Sequence, residues 1–415
     1  MATPKICIFT ETYYPVIGGG ETQARLLAEG LVANGFSVIL LTRRSDPTLK
    51  KVEQFGEVTV YRLPPVGRGQ LKKWGLMLSS VPLLIKLQRQ YDVIFVSGFR
   101  IVGMAAVLVS KLFGKACVLK ADSQGEMSGE FFREGLAKVG ASPSGWPFRL
   151  FLGVRNLVLK RADAFTAISA DIATELTTVG VPPTAIQMIP NSVDTTLFCP
   201  VSERRKGDLR DKLGLPQEGK IAIYTGRLVS YKGLPLLLRV WQVIQEQHPE
   251  AYLVLVGTGG LDIHNCEADL RAYAEANGLQ DSVHFTGSVH AQRVLEYLQA
   301  ADLFVFPTEN DAFPSSLVEA MTCRLPVIAT PVGAIKTIVT HQKNGLVVQP
   351  GDFQQLCEAI EMLLTDPKLA AQLGQAGWQT VQDNYSAEIV TRKYINVFHQ
   401  VANAAEVTVL PVDYS

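Results

Sequence analysis

The sequence predicts an α/β protein of two parallel, doubly wound sheets, and three observations predict it. Short apolar runs alternate with helical stretches in both halves of the chain, the pattern of parallel strands covered on both faces. The chain has 415 residues, room for two domains of roughly 100–200 residues, each with its own core. Between the halves, MIPNSVDTTLFCP (188–200) shifts to turn formers and prolines and is followed by the charged SERRKGDLRDK, which reads as a linker.

In the first half, KICIFT (5–10) is a strand followed by a glycine-rich loop. In ETQARLLAEGLVANG, Ala24, Leu27, Ala28 and Leu31 then fall at helical spacing, and Gly35 is placed to end the helix. Strands follow at FSVILLT (36–42), VTVYRL (58–63), DVIFVSG (92–98), ACVLKAD (116–122) and AFTAIS (164–169), separated by helical stretches. The second series runs KIAIYTG (220–226), AYLVLVGTGG (251–260), SVHFTGS (282–288), ADLFVFP (301–307), LPVIATP (325–331) and NGLVVQP (344–350). Ligands of such sheets sit beyond the carboxyl ends of the strands, so the loops that follow these runs are where chemistry is expected.

Apolar residues make up 47% of the chain and charged residues 19%, which excludes a disordered, collagenous or small disulfide-stapled protein. The formal charge is zero, but residues 1–200 hold 22 basic and 15 acidic side chains while residues 201–415 hold 17 and 24. A basic half joined to an acidic half points to different partners. The six cysteines are scattered without a CxxC pair and read as reduced thiols. MATPKICIFTE reads as a first strand rather than a signal peptide, and the apolar stretch 94–113 is interrupted by Arg100 and Lys111; a cytoplasmic location is expected.

Three loops carry candidate chemistry. Gly18, Gly19 and Gly20 stand between the first strand and its helix, where a backbone can approach a phosphate at a helix N-terminus; a plain turn fits the same residues. Arg227 and Lys232 in GRLVSYKG (226–233) follow a strand and can hold a diphosphate, Arg by a fork and Lys as a point charge. In PTENDAFPSSLVEAMTCRLPVIATPVGA (307–334), Glu309, Asp311 and Glu319 surround a loop leading into a helix near Ser315. Ser315 or Ser316 is placed to cap that helix, with Glu319 about one turn inside, within reach of ligand hydroxyls.

Together these segments resemble the retaining GT-B glycosyltransferases of family 4 (glycosyl transferases group 1), from residue 5 to about residue 395. The resemblance rests on GRLVSYKG, on Asp311 and Glu319 in a D-x7-E spacing followed by AMTCRLPVIATPVGA, and on PNSVDTTLF, with Ser192 where the family usually has Gly. It implies two doubly wound Rossmann-like domains facing a central cleft: an acceptor-binding domain over 1–200, a nucleotide-sugar donor domain over 201–385, and a C-terminal helix near 386–404 packing back onto the first. It implies that Arg227 and Lys232 neutralise the donor diphosphate, that Glu319 bonds the ribose, and that Asp311 contacts the hexose, one methylene shorter than the usual Glu. Glu309 is out of register by two. Gly18 and Gly19 would approach the phosphates, Gly287 would lie near the nucleobase, and Phe313, Pro314, Ser315, Ser316 and Leu317 belong to the donor-binding segment.

Many members carry a histidine after an N-domain strand, where this chain has Asp122; all six histidines lie after residue 200. Asp122 is read as a sugar-hydroxyl contact, with a structural Asp equally open. An inverting enzyme could use Asp122 or Glu126 as general base, whereas a retaining one lets the leaving diphosphate take the proton. No DxD triplet follows a strand, so neither metal nor other cofactor is expected beyond a UDP-, GDP- or ADP-hexose donor.

Basic residues concentrate in 67–89 and 144–161. In the second stretch Arg149, Arg155, Lys160 and Arg161 interleave with Trp146, Phe148, Phe151, Leu152 and Leu157. This suits an anionic membrane face or a lipid-diphosphate acceptor; the preferred reading is an ordinary helix with its apolar face on the sheet. Nucleic acid is not expected as a partner. The expected activity is hexosyl transfer to a lipid-linked or oligosaccharide acceptor in surface-glycan biosynthesis. A nucleotide-sugar epimerase and a non-catalytic nucleotide-sugar binding protein remain open.

Overall fold

A computed structural model describes residues 3–16, 18–67, 71–132, 142 and 145–409. Arg68, Gly69 and Gln70 of the first basic stretch and Ser144 of the second lie outside the described residues. The chain divides into two compact units, Met1–Ser192 with Ala387–Ser415, and Val193–Ser386. The division falls at Ser192/Val193 rather than at residue 200. Val193 donates its N–H to the Tyr385 carbonyl at 2.9 Å and bridges to Ser386, so the two chain crossings lie side by side.

In the first unit the chain runs β1 (Ile6–Thr10), α1 (Gly19–Ala33), β2 (Val38–Arg43), β3 (Val52–Phe55), β4 (Val58–Leu63) and α2 (Leu71–Lys86). It continues through β5 (Val93–Ser97), α3 (Val102–Leu112), β6 (Ala116–Ala121), α4 (Trp146–Leu159), β7 (Ala164–Ala167), α5 (Ala170–Thr178) and β8 (Ile186–Met188). The sheet order is β3-β4-β2-β1-β5-β6-β7-β8. All pairings are parallel except the β3–β4 hairpin. β1, β2, β5 and β6 are buried at every residue, as strands covered on both faces must be. In α1, Ala24, Leu27, Ala28 and Leu31 form the buried face. The last helix of the chain, α14 (Ala387–Val409), also belongs here; Val390, Tyr394, Val397, Phe398 and Val401 are buried in the core with Ile6, Ile8 and Phe95.

The sequence reading missed β3 and β8. β3 alternates exposed and half-buried residues and β8 is only three residues long, so neither shows the apolar run by which the interior strands are recognised. The packing preferred for the stretch around α4 is also corrected. Its buried residues are Arg155 and Leu159, while Trp146, Leu150, Val154 and Leu157 face solvent.

The second unit runs α6 (Glu203–Leu213), β9 (Ile221–Thr225), α7 (Leu234–Gln247), β10 (Tyr252–Val256), α8 (Glu267–Ala276), β11 (Val283–Gly287) and α9 (Ala291–Ala300). Then follow β12 (Leu303–Phe306), α10 (Ser315–Thr322), β13 (Val327–Ala329), α11 (Ile335–Ile338), β14 (Leu346–Val347), α12 (Phe353–Thr365) and α13 (Pro367–Asn384). The parallel sheet has the order β11-β10-β9-β12-β13-β14. Strand order therefore reverses between β1 and β5 in one sheet and between β9 and β12 in the other, the crevices where such sheets bind ligands.

Candidate active site

The loops after β9 and β12 meet at the reversal point of the second sheet. The chain leaves β9 through Gly226 and makes a short 3-10 turn at Ser230–Lys232. It enters α7 from Gly233, whose φ of +71° is left-handed and therefore favours glycine. A Cβ at Gly233 would stand 2.0 Å from the Pro307 carbonyl oxygen, so only glycine lets the two loops approach this closely. Tyr231 completes the junction by accepting the Glu309 N–H at 2.8 Å and the Thr308 hydroxyl at 3.2 Å on its backbone carbonyl.

This junction brings Arg227 and Lys232 to one aromatic ring. The Arg227 guanidinium lies 6.0 Å and the Lys232 ammonium 5.3 Å from the Tyr231 centroid. Arg227 is exposed, bonds the Tyr231 hydroxyl at 2.8 Å and pairs with Asp262. Lys232 is buried and donates to Asp311 Oδ2 at 2.7 Å and to the Asn310 carbonyl at 3.1 Å. Asp311 is held from behind by the loop after β13. Gly333, at φ +49°, lies so near that a Cβ there would sit 1.7 Å from the Asp311 carbonyl oxygen.

α10 begins at Ser315 with Pro314 as N-cap and no side-chain cap. The expected cap at Ser315 or Ser316 is therefore corrected, because both serines stand inside the first turn. The Ser315 and Leu317 N–H groups bond back to the Phe313 and Pro314 carbonyls, each at 3.1 Å, so what this uncapped start offers an anion is chiefly the positive dipole end. Phe313 and Leu317 are core side chains, so what they offer a ligand is backbone. Glu319, one turn in, has no side-chain hydrogen-bond donor among the described residues, and burial alone pushes its carboxyl up to about 8. Glu309 is exposed and does not substitute for Asp311 beside Lys232. Gly287 ends β11 at φ +68°, with open space where its Cβ would be.

In the first unit, Gly18 is the N-cap of α1 and has no capping side chain. Cβ atoms on Gly19 or Gly20 would meet nothing within 4 Å, whereas one on Gly18 would meet the Glu21 carboxylate at 2.5 Å. Asp122 follows β6. It accepts the Ser97 hydroxyl on Oδ2 at 2.8 Å and pairs through Oδ1 with buried Lys120. Glu126 is 1% exposed and accepts from the Asp122 N–H at 3.3 Å, the Ser123 hydroxyl at 3.2 Å and Arg100 at 3.3 Å. Burial outweighs Arg100 and raises its carboxyl to about 7. Its second oxygen is buried without a partner among the described residues, so Glu126 does not reach solvent as a general base would.

Sequence reasoning missed Tyr231, Asp262, Lys120 and Ser97. Tyr231 stands between the two selected cations in the same loop, and Asp262 lies in the loop after the neighbouring strand β10; position alone marked both. Among the described residues no group of three or more His, Cys, Asp or Glu side chains is arranged to hold a metal ion. No helix among them is long and apolar enough to cross a membrane.

Two Rossmann-like α/β units with an uncapped helix start and paired cations beyond the strand ends define the class, a protein of the GT-B fold. Two family models match the chain, the glycosyl transferase 4-like domain over residues 18–192 and glycosyl transferases group 1 over residues 205–380. The chain belongs to the group 1 glycosyltransferases. An uncharacterized glycosyltransferase of Methanocaldococcus jannaschii is 25% identical over 404 residues, 95% of this chain and 97% of the relative. Among solved structures, sucrose-phosphate synthase from Thermosynechococcus elongatus superposes with a TM-score of 0.77 at 24% identity, covering 96% of this chain and all of the other. Anabaena HepE, solved in complex with UDP-glucose, superposes with a TM-score of 0.71 at 18% identity over 96% of this chain and all of its own.

Proposed function

We propose that this glycosyltransferase moves a hexose from a nucleoside diphosphate sugar to a hydroxyl of a lipid-linked or oligosaccharide acceptor in surface-glycan biosynthesis, with retention at the anomeric carbon and without a metal ion. The observation that carries the donor half is the pair of cations on the Tyr231 ring, Arg227 and Lys232, at the reversal point of the second sheet. The complex of HepE with UDP-glucose supports the same donor class.

In this reading Arg227 and Lys232 take the diphosphate and supply the neutralisation that Mg²⁺ gives elsewhere. The uncapped start of α10, through the backbone of Phe313, Pro314, Ser315, Ser316 and Leu317, adds dipolar support. Glu319 bonds the ribose hydroxyls, and Gly287 leaves room for the base. Asp311 spends Oδ2 on Lys232 and keeps Oδ1 for a hexose hydroxyl. In the first unit the reading keeps Gly18 and Gly19 as phosphate-contacting residues and Asp122 as a contact to a sugar hydroxyl. The leaving diphosphate takes the acceptor's proton. The protein's contribution is positioning and stabilisation of the charge that develops on that leaving group.

The test is product analysis with UDP-, GDP- and ADP-hexoses and a panel of glycan and lipid-linked acceptors in the presence of EDTA. An acceptor-dependent α-glycoside from an α-linked donor is expected. A β-glycoside removes the retaining assignment, and loss of activity that only a divalent ion restores removes metal independence. Release of UDP and a free epimerised sugar without any acceptor establishes the epimerase.

A further inference from the structure

We propose that the surface formed by α2, α3 and α4 is a docking face for an anionic lipid bilayer. These three helices lie side by side on one face of the first sheet, with the Trp74 and Phe151 rings 5.3 Å apart. Each turns an apolar stripe outward. On α4 the stripe is Trp146, Leu150, Val154 and Leu157, exposed by 52–75% and spaced to fall on one side of a helix. On α2 it is Trp74, Leu78 and Ile85, and on α3 Leu108 and Leu112. Isolated surface leucines are ordinary, but one face carrying nine large apolar side chains marks a contact surface.

Charge selects the occupant. None of the three helices contains an aspartate or a glutamate, while Lys72, Lys73, Lys86, Lys111, Arg149 and Arg155 lie within them. Arg155 turns inward and is fully buried, donating to the backbone carbonyls of Arg100, Glu126 and Met127. Lys86, Arg149, Lys160 and Arg161 are exposed and have no carboxylate partner among the described residues. An apolar face edged by one sign of charge suits a bilayer that carries the opposite sign. A second copy of the same face would bring like charges together.

This inference deepens the acceptor half of the proposed function and rests on it only for its purpose, since vesicle binding needs neither donor nor acceptor. The experiment is flotation of the full chain with vesicles of phosphatidylcholine alone and of phosphatidylcholine mixed with phosphatidylglycerol, with sedimentation velocity alongside. Binding is expected only to the anionic vesicles and should weaken with salt, as the screening length falls from about 10 Å at 0.1 M to about 3 Å at 1 M. Replacing Lys160→Gln with Arg161→Gln should lower the partition coefficient about 25-fold, at about fivefold per lost cation. Leu150→Glu with Leu157→Glu should lower it by about tenfold or more. All four positions are exposed, so both variants should keep the wild-type melting temperature and nucleotide affinity. Absence of binding to anionic vesicles at low salt overturns the proposal, as does equal binding to neutral vesicles or unchanged binding by both variants. A dimer that the leucine variant dissolves, without vesicle binding, assigns the face to self-association instead. Failure of the donor reading would appear separately, as loss of nucleotide binding in all proteins alike.

Discussion

Glu319 is the residue at which burial and chemistry conflict most openly. Its carboxyl sits in the first turns of α10 with no side-chain donor among the described residues, and burial raises it from the ordinary carboxylate value to about 8. The unfolded chain ionises this group at the normal value while the folded chain resists ionisation, so stability falls as pH rises from about 4.5 to about 8 and levels beyond. Glu319→Gln should flatten that slope, making the variant more stable than wild type at pH 8 by on the order of 2–3 kcal/mol. Urea unfolding at pH 5 and pH 8 checks it, and a variant with the wild-type slope shows that the group is ionised throughout. Ligand hydroxyls would supply the donors the carboxylate lacks. The place of Glu319 about one turn inside α10 was legible from spacing. That Asp262 and Tyr231 both engage Arg227 was not, because the partners of a side chain depend on how loops from neighbouring strands converge.

At the scale of elements, the interior strands were legible because parallel strands buried on both faces must be continuously apolar, as in KICIFT and KIAIYTG. β3 was not legible, since an edge hairpin half in water has no such constraint. α4 misled for a related reason. Its composition is amphipathic, but a fully buried arginine bonded to three carbonyls takes the inward position that pattern reasoning gives to an apolar residue. The loop joining β9 to α7 depends on Gly233 in the same local way. Gly233→Ala requires a left-handed alanine and displaces the Pro307 carbonyl. It should cost about 2–4 kcal/mol, and nucleotide affinity should fall with it because Lys232 precedes the displaced residue. Thermal unfolding and nucleotide titration check this together; wild-type values in both mean that the two loops are not held as tightly as the 2.0 Å approach requires.

Across the whole molecule, the division of the chain was legible from the change of texture near residue 190, but not the residue at which it falls. The first unit is discontinuous. Its core is filled by α14, with Tyr394 packed on Phe95 at 5.1 Å and Phe398 at 5.7 Å. Removing Ala387–Ser415 leaves those positions empty, and losses of about 3–5 kcal/mol per large side chain exceed what a domain of this size holds in reserve. The truncated chain should lose one calorimetric transition while the second unit keeps its own and still binds nucleotide. Two intact transitions would contradict the role given to α14. The basic sum of residues 1–200 also gains a location, since much of it lies on helices without carboxylates.

The central claim is that Arg227 and Lys232 on the Tyr231 ring hold a nucleoside diphosphate, and calorimetric titration of UDP, GDP and ADP into the wild-type chain, Arg227→Ala and Lys232→Ala tests it most directly. One of the three nucleotides should bind the wild type. Each variant should lose about tenfold or more in affinity, as expected for a charge-assisted contact of about 1.5–3 kcal/mol. No binding of any nucleotide at millimolar concentration, or unchanged affinity in both variants, would contradict the account.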